Sequence, residues 1–539
     1  MRGVQLLTLP SQKLKQINLS TYKKISYNQF RFPMKNSSVI TNQRVKLIER
    51  HFSSSRPNTT TSTTNHSQLN LTEPSVIDRI DNNLRLLTLN RPKALNALNA
   101  EMIDILTKRL IEWEQSPEAN LIIMKANGRA FCAGGDVIAL IEAVASNIKQ
   151  KRISAVEYFQ KEYSLNSFLS KMKTPVICFM DGITMGGGLG LCMHVPFRIA
   201  TENTRVAMPE TTIGLFPDVG ATFFLPRMDG ELGTYLGLTS TNLYGWGAFQ
   251  SGIASHFVPS TSLGALQERL SNMSGDLTLD RINDTINEFS CDIIESKTSS
   301  SIPYDLVGIK RQAIDYCFSG NTVEEIINKL LSIENGQMFK NEDLENWAKD
   351  TKDSILNRSP TSCKLTLMAL REGKKLNIDE CVEMELRLGA TCCDINVHKD
   401  LVTGVQHLLI NKKKSRPDWK PNKLEEVNLK DIQNNFFSLK SIPTTTHLLP
   451  FIHIPTHRKP FKTYPHLNYS LPNEEIVKNY VLGKHKDSSS FALNKNELIK
   501  LIQSKYPNKI GVKEKIEDIL FRLSFESSEK EGKVLKWIY

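Results

Sequence analysis

Apolar residues recur along this chain in two rhythms. Met102, Leu106, Leu110 and Trp113 stand at helical spacing, with Asn99 placed to cap the first turn and Glu101 and Asp104 inside it. Leu84–Leu89, Leu121–Ala126 and Val176–Met180 are short, mainly apolar runs, and they read as strands. Asn127–Asp136 reads as a loop before a helix over Val137–Ala145. Asp181–Gly188 reads as a Gly-rich turn before a short helix over Leu189–His194. Repeated strand–turn–helix units predict an α/β fold around a largely buried sheet.

The chain has 539 residues, of which 40% are apolar, enough for a sizeable core and incompatible with a wholly disordered protein. No run approaches the roughly 18 apolar residues of a membrane-spanning helix. Its nine cysteines lack metal-ligand spacing, which disfavours a zinc module or a disulfide scaffold. The formal net charge of +11 is unevenly placed. Residues 1–50 are basic with Glu49 as their one acid, the body is mildly acidic, and the residues after 420 are basic again.

The leader is basic, rich in Ser, Thr, Asn and Gln, and almost free of acids, the composition of an import signal. Arg50-His51-Phe52-Ser53 resembles the Arg-x-Phe-Ser site of mitochondrial processing peptidases. Residues 1–52 are therefore expected to be a transit peptide and residues 53–71 a disordered linker, with the mature protein in the mitochondrial matrix.

Two Gly-rich turns carry candidate chemistry: Gly128 to Asp136, containing Ala133-Gly134-Gly135-Asp136, and Gly182 to Gly190, containing Met185-Gly186-Gly187-Gly188. Each follows a strand and opens a helix, which leaves backbone N–H groups unpaired and accessible. Two such amides can hold one carbonyl oxygen as an oxyanion. Neither turn fits the dinucleotide fingerprint or the P-loop.

These turns, with Asn90-Arg91-Pro92-Lys93-Ala94-Leu95-Asn96-Ala97-Leu98, resemble the crotonase (enoyl-CoA hydratase/isomerase) superfamily. Met208-Pro209-Glu210-Thr211, Gly214 to Gly220 and Phe224-Leu225-Pro226-Arg227 resemble its 3-hydroxyisobutyryl-CoA hydrolase branch. The likeness runs from about residue 72 to 421 and includes Ser359-Pro360-Thr361-Ser362 and Pro417-Asp418-Trp419-Lys420-Pro421. It implies a spiral of ββα turns with two roughly perpendicular sheets over residues 72–259, then a helical region over 260–421.

The resemblance assigns the oxyanion-hole amides to Gly135 and Gly187. It assigns the catalytic carboxyls to Glu210 and Asp218, and a further substrate contact to Glu162. Glu210 either activates a water or attacks the thioester itself; both readings stay open. Hydratases carry a second glutamate where this chain has Gly190, so hydratase or isomerase activity is the enzymatic runner-up. Arg91 and Lys93 are candidate coenzyme A phosphate contacts. His194 and His256 are expected to be packed or hydrogen-bonded. The implied substrate is an acyl-CoA, and no cofactor or metal is implied.

Residues 422–539 form a basic extension. From 432 to 473 there is no acid, and prolines at 443, 450, 455, 460 and 465 predict an extended arm interleaved with aromatics. Helices are expected from Leu471, over Asn494–Lys505 and over Val512–Phe525. The extension resembles the form found in the mitochondrial small ribosomal subunit. That likeness implies a ribosomal partner, rRNA or protein, as the alternative to a plain enzyme. The catalytic fold is expected to be complete by about 421, leaving the extension as a docking module.

Overall fold

The computed structural model describes residues 73–291, 304–438, 449–488, 491–529 and 532–538; the leader and linker lie outside them. The chain begins with β1 (Val76–Asp81), β2 (Leu84–Leu89), α1 (Ala100–Glu114), β3 (Leu121–Ala126) and β4 (Ala130–Cys132). It continues through α2 (Val137–Val144), α3 (Lys149–Lys171), β5 (Val176–Met180), β6 (Ile183–Met185), α4 (Gly187–Cys192), β7 (Phe197–Ala200) and β8 (Arg205–Ala207). After the short α5 (Ala221–Phe224) come α6 (Leu232–Thr239), β9 (Leu243–Tyr244), α7 (Gly245–Gln250) and β10 (His256–Phe257).

Two sheets result. The larger runs β1-β2-β3-β5-β7-β10, with only the β1–β2 hairpin antiparallel. The smaller runs β4-β6-β8-β9. Both faces of the larger sheet are covered, which is why its central strands read as mainly apolar runs rather than as an alternation. Leu84 and Leu86 pack with Leu121, Ile123 and Phe179 toward α8 (Leu263–Ser271) and α9 (Leu279–Glu288); Leu87 and Leu89 face the main core. Asn99 caps α1 by accepting from Met102 N at 2.9 Å, a contact worth about 1 kcal/mol.

The helical region opens with a turn at Ser260–Ser262 followed by α8. Helices α10 (Gly308–Phe318), α11 (Val323–Glu334), α12 (Glu342–Asn357), α13 (Pro360–Gly373), α14 (Ile378–Cys392) and α15 (Asp400–Val405) follow α9. Ser359 caps α13 and donates to buried Asp400, while buried Trp419 donates its indole N–H to Asn357 O. These two family motifs brace the fold.

Two expected connections differ from the structure. The loop over 127–136 contains β4 and the turn over 181–188 contains β6. Both strands are three residues long, too short for alternation to register, and pairing with neighbours makes them strands.

The extension is part of the same core. Helices α16 (Leu429–Ile432), α17 (Glu474–Val481), α18 (Lys495–Gln503) and α19 (Val512–Leu523) lead to a hairpin of β11 (Ser524–Glu529) and β12 (Gly532–Trp537) that the sequence did not suggest. Tyr464, Leu471, Val477, Ile502, Ile516 and Ile519 are buried in the main cluster. The proline-rich stretch over 449–466 has no helix and is strapped to the body. Gln160 donates to Pro450 O at 2.5 Å, and Arg227 Nε donates to Lys462 O at 2.7 Å. Its aromatics turn inward: Phe461 and Tyr464 pack edge-on against Phe223.

Candidate active site

The two Gly-rich turns meet at the starts of α2 and α4. Gly134 has φ +114° and Gly186 has φ +45°, conformations that favour glycine. Among the described hydrogen bonds, neither the Gly135 nor the Gly187 amide is a donor. A Cβ on Gly187 would lie 3.4 Å from Gly135 N, so the two amides border one small space. That Cβ would also lie 2.5 Å from Glu162 Oε1, and a Cβ on Gly186 would lie 2.6 Å from Glu210 Oε1. A side chain at either position would push aside the carboxyl that it meets.

Arg91 supports this arrangement from outside. Its guanidinium donates to Ala97 O at 2.6 Å and pairs with Asp136 at 3.2 Å, tying the Asn90–Leu98 turn to the first Gly-rich loop. Lys93 is exposed.

Three carboxyls converge here from three elements. Glu162 lies on α3 and is 2% exposed, so it is not on a solvated helix face. Glu210 opens a short turn after β8, and Asp218 follows eight residues later; each is 5% exposed. Glu162 Oε1 and Glu210 Oε2 are buried without hydrogen-bond partners. Burial lifts the Glu210 carboxyl well above the usual range, and the charge of Asp218 lifts it further. Burial, then the charge of Asp218, does the same to Glu162. Burial raises Asp218 to about 6, against the pull of Tyr163. Cys132, in the first loop, is pushed by burial to about 12 and stays a thiol.

The structure adds residues that the sequence did not single out. Tyr163 donates to Asp218, and Glu385 on α14 accepts from Gly220 N at 2.6 Å and from Thr222 N at 2.9 Å. Asn166, one turn after Glu162, is fully buried with both amide atoms unpartnered; a Cβ on Gly190 would lie 3.0 Å from its Nδ2. Tyr163 and Asn166 share the helical string with Glu162, so their periodicity was available. Nothing local marks Glu385, whose contact crosses from the helical region. His194 is hydrogen-bonded to Val219 O and Tyr464, and His256 to Ser255 and Asn283, as expected for packed histidines.

Free amides beside buried carboxyls, on a spiral of short parallel strands, define a site for polarising a carbonyl and moving a proton or a water beside it. The chain belongs to the enoyl-CoA hydratase/isomerase family, whose model matches residues 84–436. It is 42% identical over 361 residues to the mitochondrial 3-hydroxyisobutyryl-CoA hydrolase of Homo sapiens, covering 66% of this chain and 86% of that protein. It is 40% identical over 462 residues to the small ribosomal subunit protein mS47 of Neurospora crassa, covering 83% of this chain and 85% of that protein. Among solved structures, a carnitinyl-CoA dehydratase from Mycobacterium thermoresistibile superposes with a TM-score of 0.57 at 30% identity, over 67% of this chain and 96% of that one.

Proposed function

We propose that this protein hydrolyses a short 3-hydroxyacyl-CoA thioester, most closely 3-hydroxyisobutyryl-CoA, in the mitochondrial matrix. The observation that carries the reading is the convergence of Glu162, Glu210 and Asp218 on the unengaged amides of Gly135 and Gly187. The thioester oxygen accepts from both amides, which stabilise the negative charge that develops on it. Glu210 then takes a proton from water as water attacks the acyl carbon, or attacks that carbon itself to give an anhydride that water opens. In either course the C–S bond breaks, the thiol leaves with a proton, and the acid remains. Asp218, held by Tyr163, and Glu162 bind the acyl end, with the Asn166 amide placed to meet the 3-hydroxyl. Gly190 supplies no second carboxylate, so addition of water across a C=C lacks its partner acid. The test is hydrolysis of 3-hydroxyisobutyryl-CoA by the purified full chain; absence of turnover, or hydration of crotonyl-CoA at a comparable rate, would sink the reading.

A second reading rests on the alignment with mS47, which spans 462 residues where the hydrolase alignment spans 361. On it, the chain is a component of the mitochondrial small ribosomal subunit that retains the hydrolase site. Co-sedimentation with small-subunit particles from mitochondria at low salt supports it, and a freely sedimenting protein contradicts it.

A further inference from the structure

The turn that carries Asp218 is strained. Val219 has φ +55° and Gly220 has φ +85°. A β-branched residue adopts the left-handed region only when its surroundings over-determine it. Three groups do so. Tyr163 holds the Asp218 carboxylate, Glu385 holds the Gly220 and Thr222 amides, and His194 Nε2 lies 2.8 Å from Val219 O. A Cβ on Gly220 would fall on the His194 ring, so the imidazole packs directly against the turn.

His194 is fully buried, and burial pulls its imidazole down to about 4, leaving it neutral at neutral pH. A neutral imidazole has one N–H. Val219 O can only accept, so that N–H is on Nε2. Nδ1 is then a bare, buried acceptor and needs a donor. The donor is the Tyr464 hydroxyl at 2.9 Å, whose proton burial helps to retain. Tyr464 belongs to the strap, beyond the residues matched by the family model. Edge-on packing against Phe223 and the bond from Arg227 to Lys462 O hold it there.

We propose that Tyr464, supplied by the C-terminal extension, is a positioning residue for Asp218. Its hydroxyl fixes the tautomer of His194, and His194 seats the strained Val219 carbonyl next to the catalytic carboxyl. The site of this chain is therefore completed by its extension, in contrast to the expectation that chemistry ends by residue 421. The inference rests on the hydrolase reading for its kinetic consequence but not for its structural one.

The full chain and its Tyr464→Phe variant, which keeps the ring and removes the donor, are compared in two measurements. With 3-hydroxyisobutyryl-CoA, kcat is expected to fall about tenfold while KM stays within about twofold, as befits a displaced rather than missing carboxyl. Adding Tyr464→Phe to His194→Gln should cost little further, because the two residues act in series. By hydrogen exchange, the peptide spanning residues 216–224 should exchange about tenfold faster in Tyr464→Phe. Unchanged exchange in that peptide overturns the proposal. So does an unchanged kcat in an active protein, or additive losses in the double variant. If the wild type hydrolyses nothing, the hydrolase reading fails while the exchange measurement still decides the relay.

Discussion

The Tyr163 hydroxyl donates to Asp218 Oδ2 across 2.5 Å, linking the middle of α3 to the turn beyond Glu210. A short hydrogen bond to a carboxylate favours the ionised form. It works against the burial that lifts Asp218 to about 6, whereas burial and the charge of Asp218 hold Glu162 and Glu210 well above the usual range, each with one oxygen lacking a hydrogen-bond partner. The charge of Asp218 in turn raises both glutamates, and neighbouring carboxyls with different environments are suited to different tasks. Removing the donor in Tyr163→Phe should raise the pKa of Asp218. The acid limb of kcat/KM should move to higher pH, with about a tenfold loss near neutrality. A limb that stays in place would show that Asp218 does not report in the rate.

Glu210 acts as an anion in either proposed role. Its carboxyl is held above the ordinary range by burial and by negative neighbours, so the reactive form accumulates as pH rises. Wild-type kcat should climb with pH beyond the range of an exposed carboxylate. Glu210→Gln should lose about a thousandfold in kcat and flatten that climb, with KM little changed. Steady-state rates across a pH series measure both.

Much of this arrangement was legible in the sequence. Strands β3 and β5 fall on their apolar runs, and Asn99 caps the helix that its spacing announced. Gly135, Gly187, Glu210 and Asp218, singled out from motifs far apart in the chain, lie near one another in the fold. What stayed hidden depends on distant partners. Glu385 meets Gly220 across 165 residues, and His194 meets Tyr464 across 270. No local pattern encodes such a meeting, because each side chain alone is an unremarkable helix or loop residue. The aromatics of the strap were ambiguous for the same reason: a basic, proline-rich arm has one composition whether it faces a partner or, as here, its own core.

Glu385 also ties stability to pH. Burial raises its carboxyl from 4.5 to about 8 despite the Thr222 and Gly220 donors. A raised carboxyl means the folded state keeps its proton longer than the unfolded one. The associated stability is present below the unfolded value and is lost as pH rises through the folded one. Glu385→Gln removes this titration, so its thermal midpoint should fall less steeply between 4.5 and about 8 than that of the wild type. Parallel slopes in the two proteins would count against the shift.

The extension is fastened by buried charge as well as by apolar packing. Arg522 on α19 has a fully buried side chain and pairs with Glu474 at 2.7 Å, Asp518 at 2.9 Å and Asp315 at 3.3 Å. Lys515 pairs with Asp229 at 2.6 Å nearby. Removing one member of a buried network leaves the others uncompensated, at about 3–5 kcal/mol. Arg522→Met should therefore lower the urea midpoint markedly and expose the extension to limited proteolysis while the body resists. Proteolysis spread evenly along the chain would mean that the extension and body open together.

Gly190 tests which branch of the family this site serves. Hydratases are expected to carry a carboxylate here, and its return is the obvious conversion. The space is already filled: a Cβ on Gly190 would lie 2.7 Å from Val219 Cβ and 3.0 Å from Asn166 Nδ2. Val219 occupies it because the strained turn points its side chain that way, and the turn is pinned by Glu385 and His194. Gly190→Glu must therefore push the Asp218 turn outward and bury one more negative charge beside three raised carboxyls. The variant should lose most thioester hydrolysis, at least about a hundredfold, because a displacement near 1 Å suffices for that. It should gain no hydration of crotonyl-CoA. Assaying both reactions on one preparation, with circular dichroism to verify folding, decides the matter; a folded variant that hydrates crotonyl-CoA would show that the turn yields and that Gly190 alone separates the two chemistries.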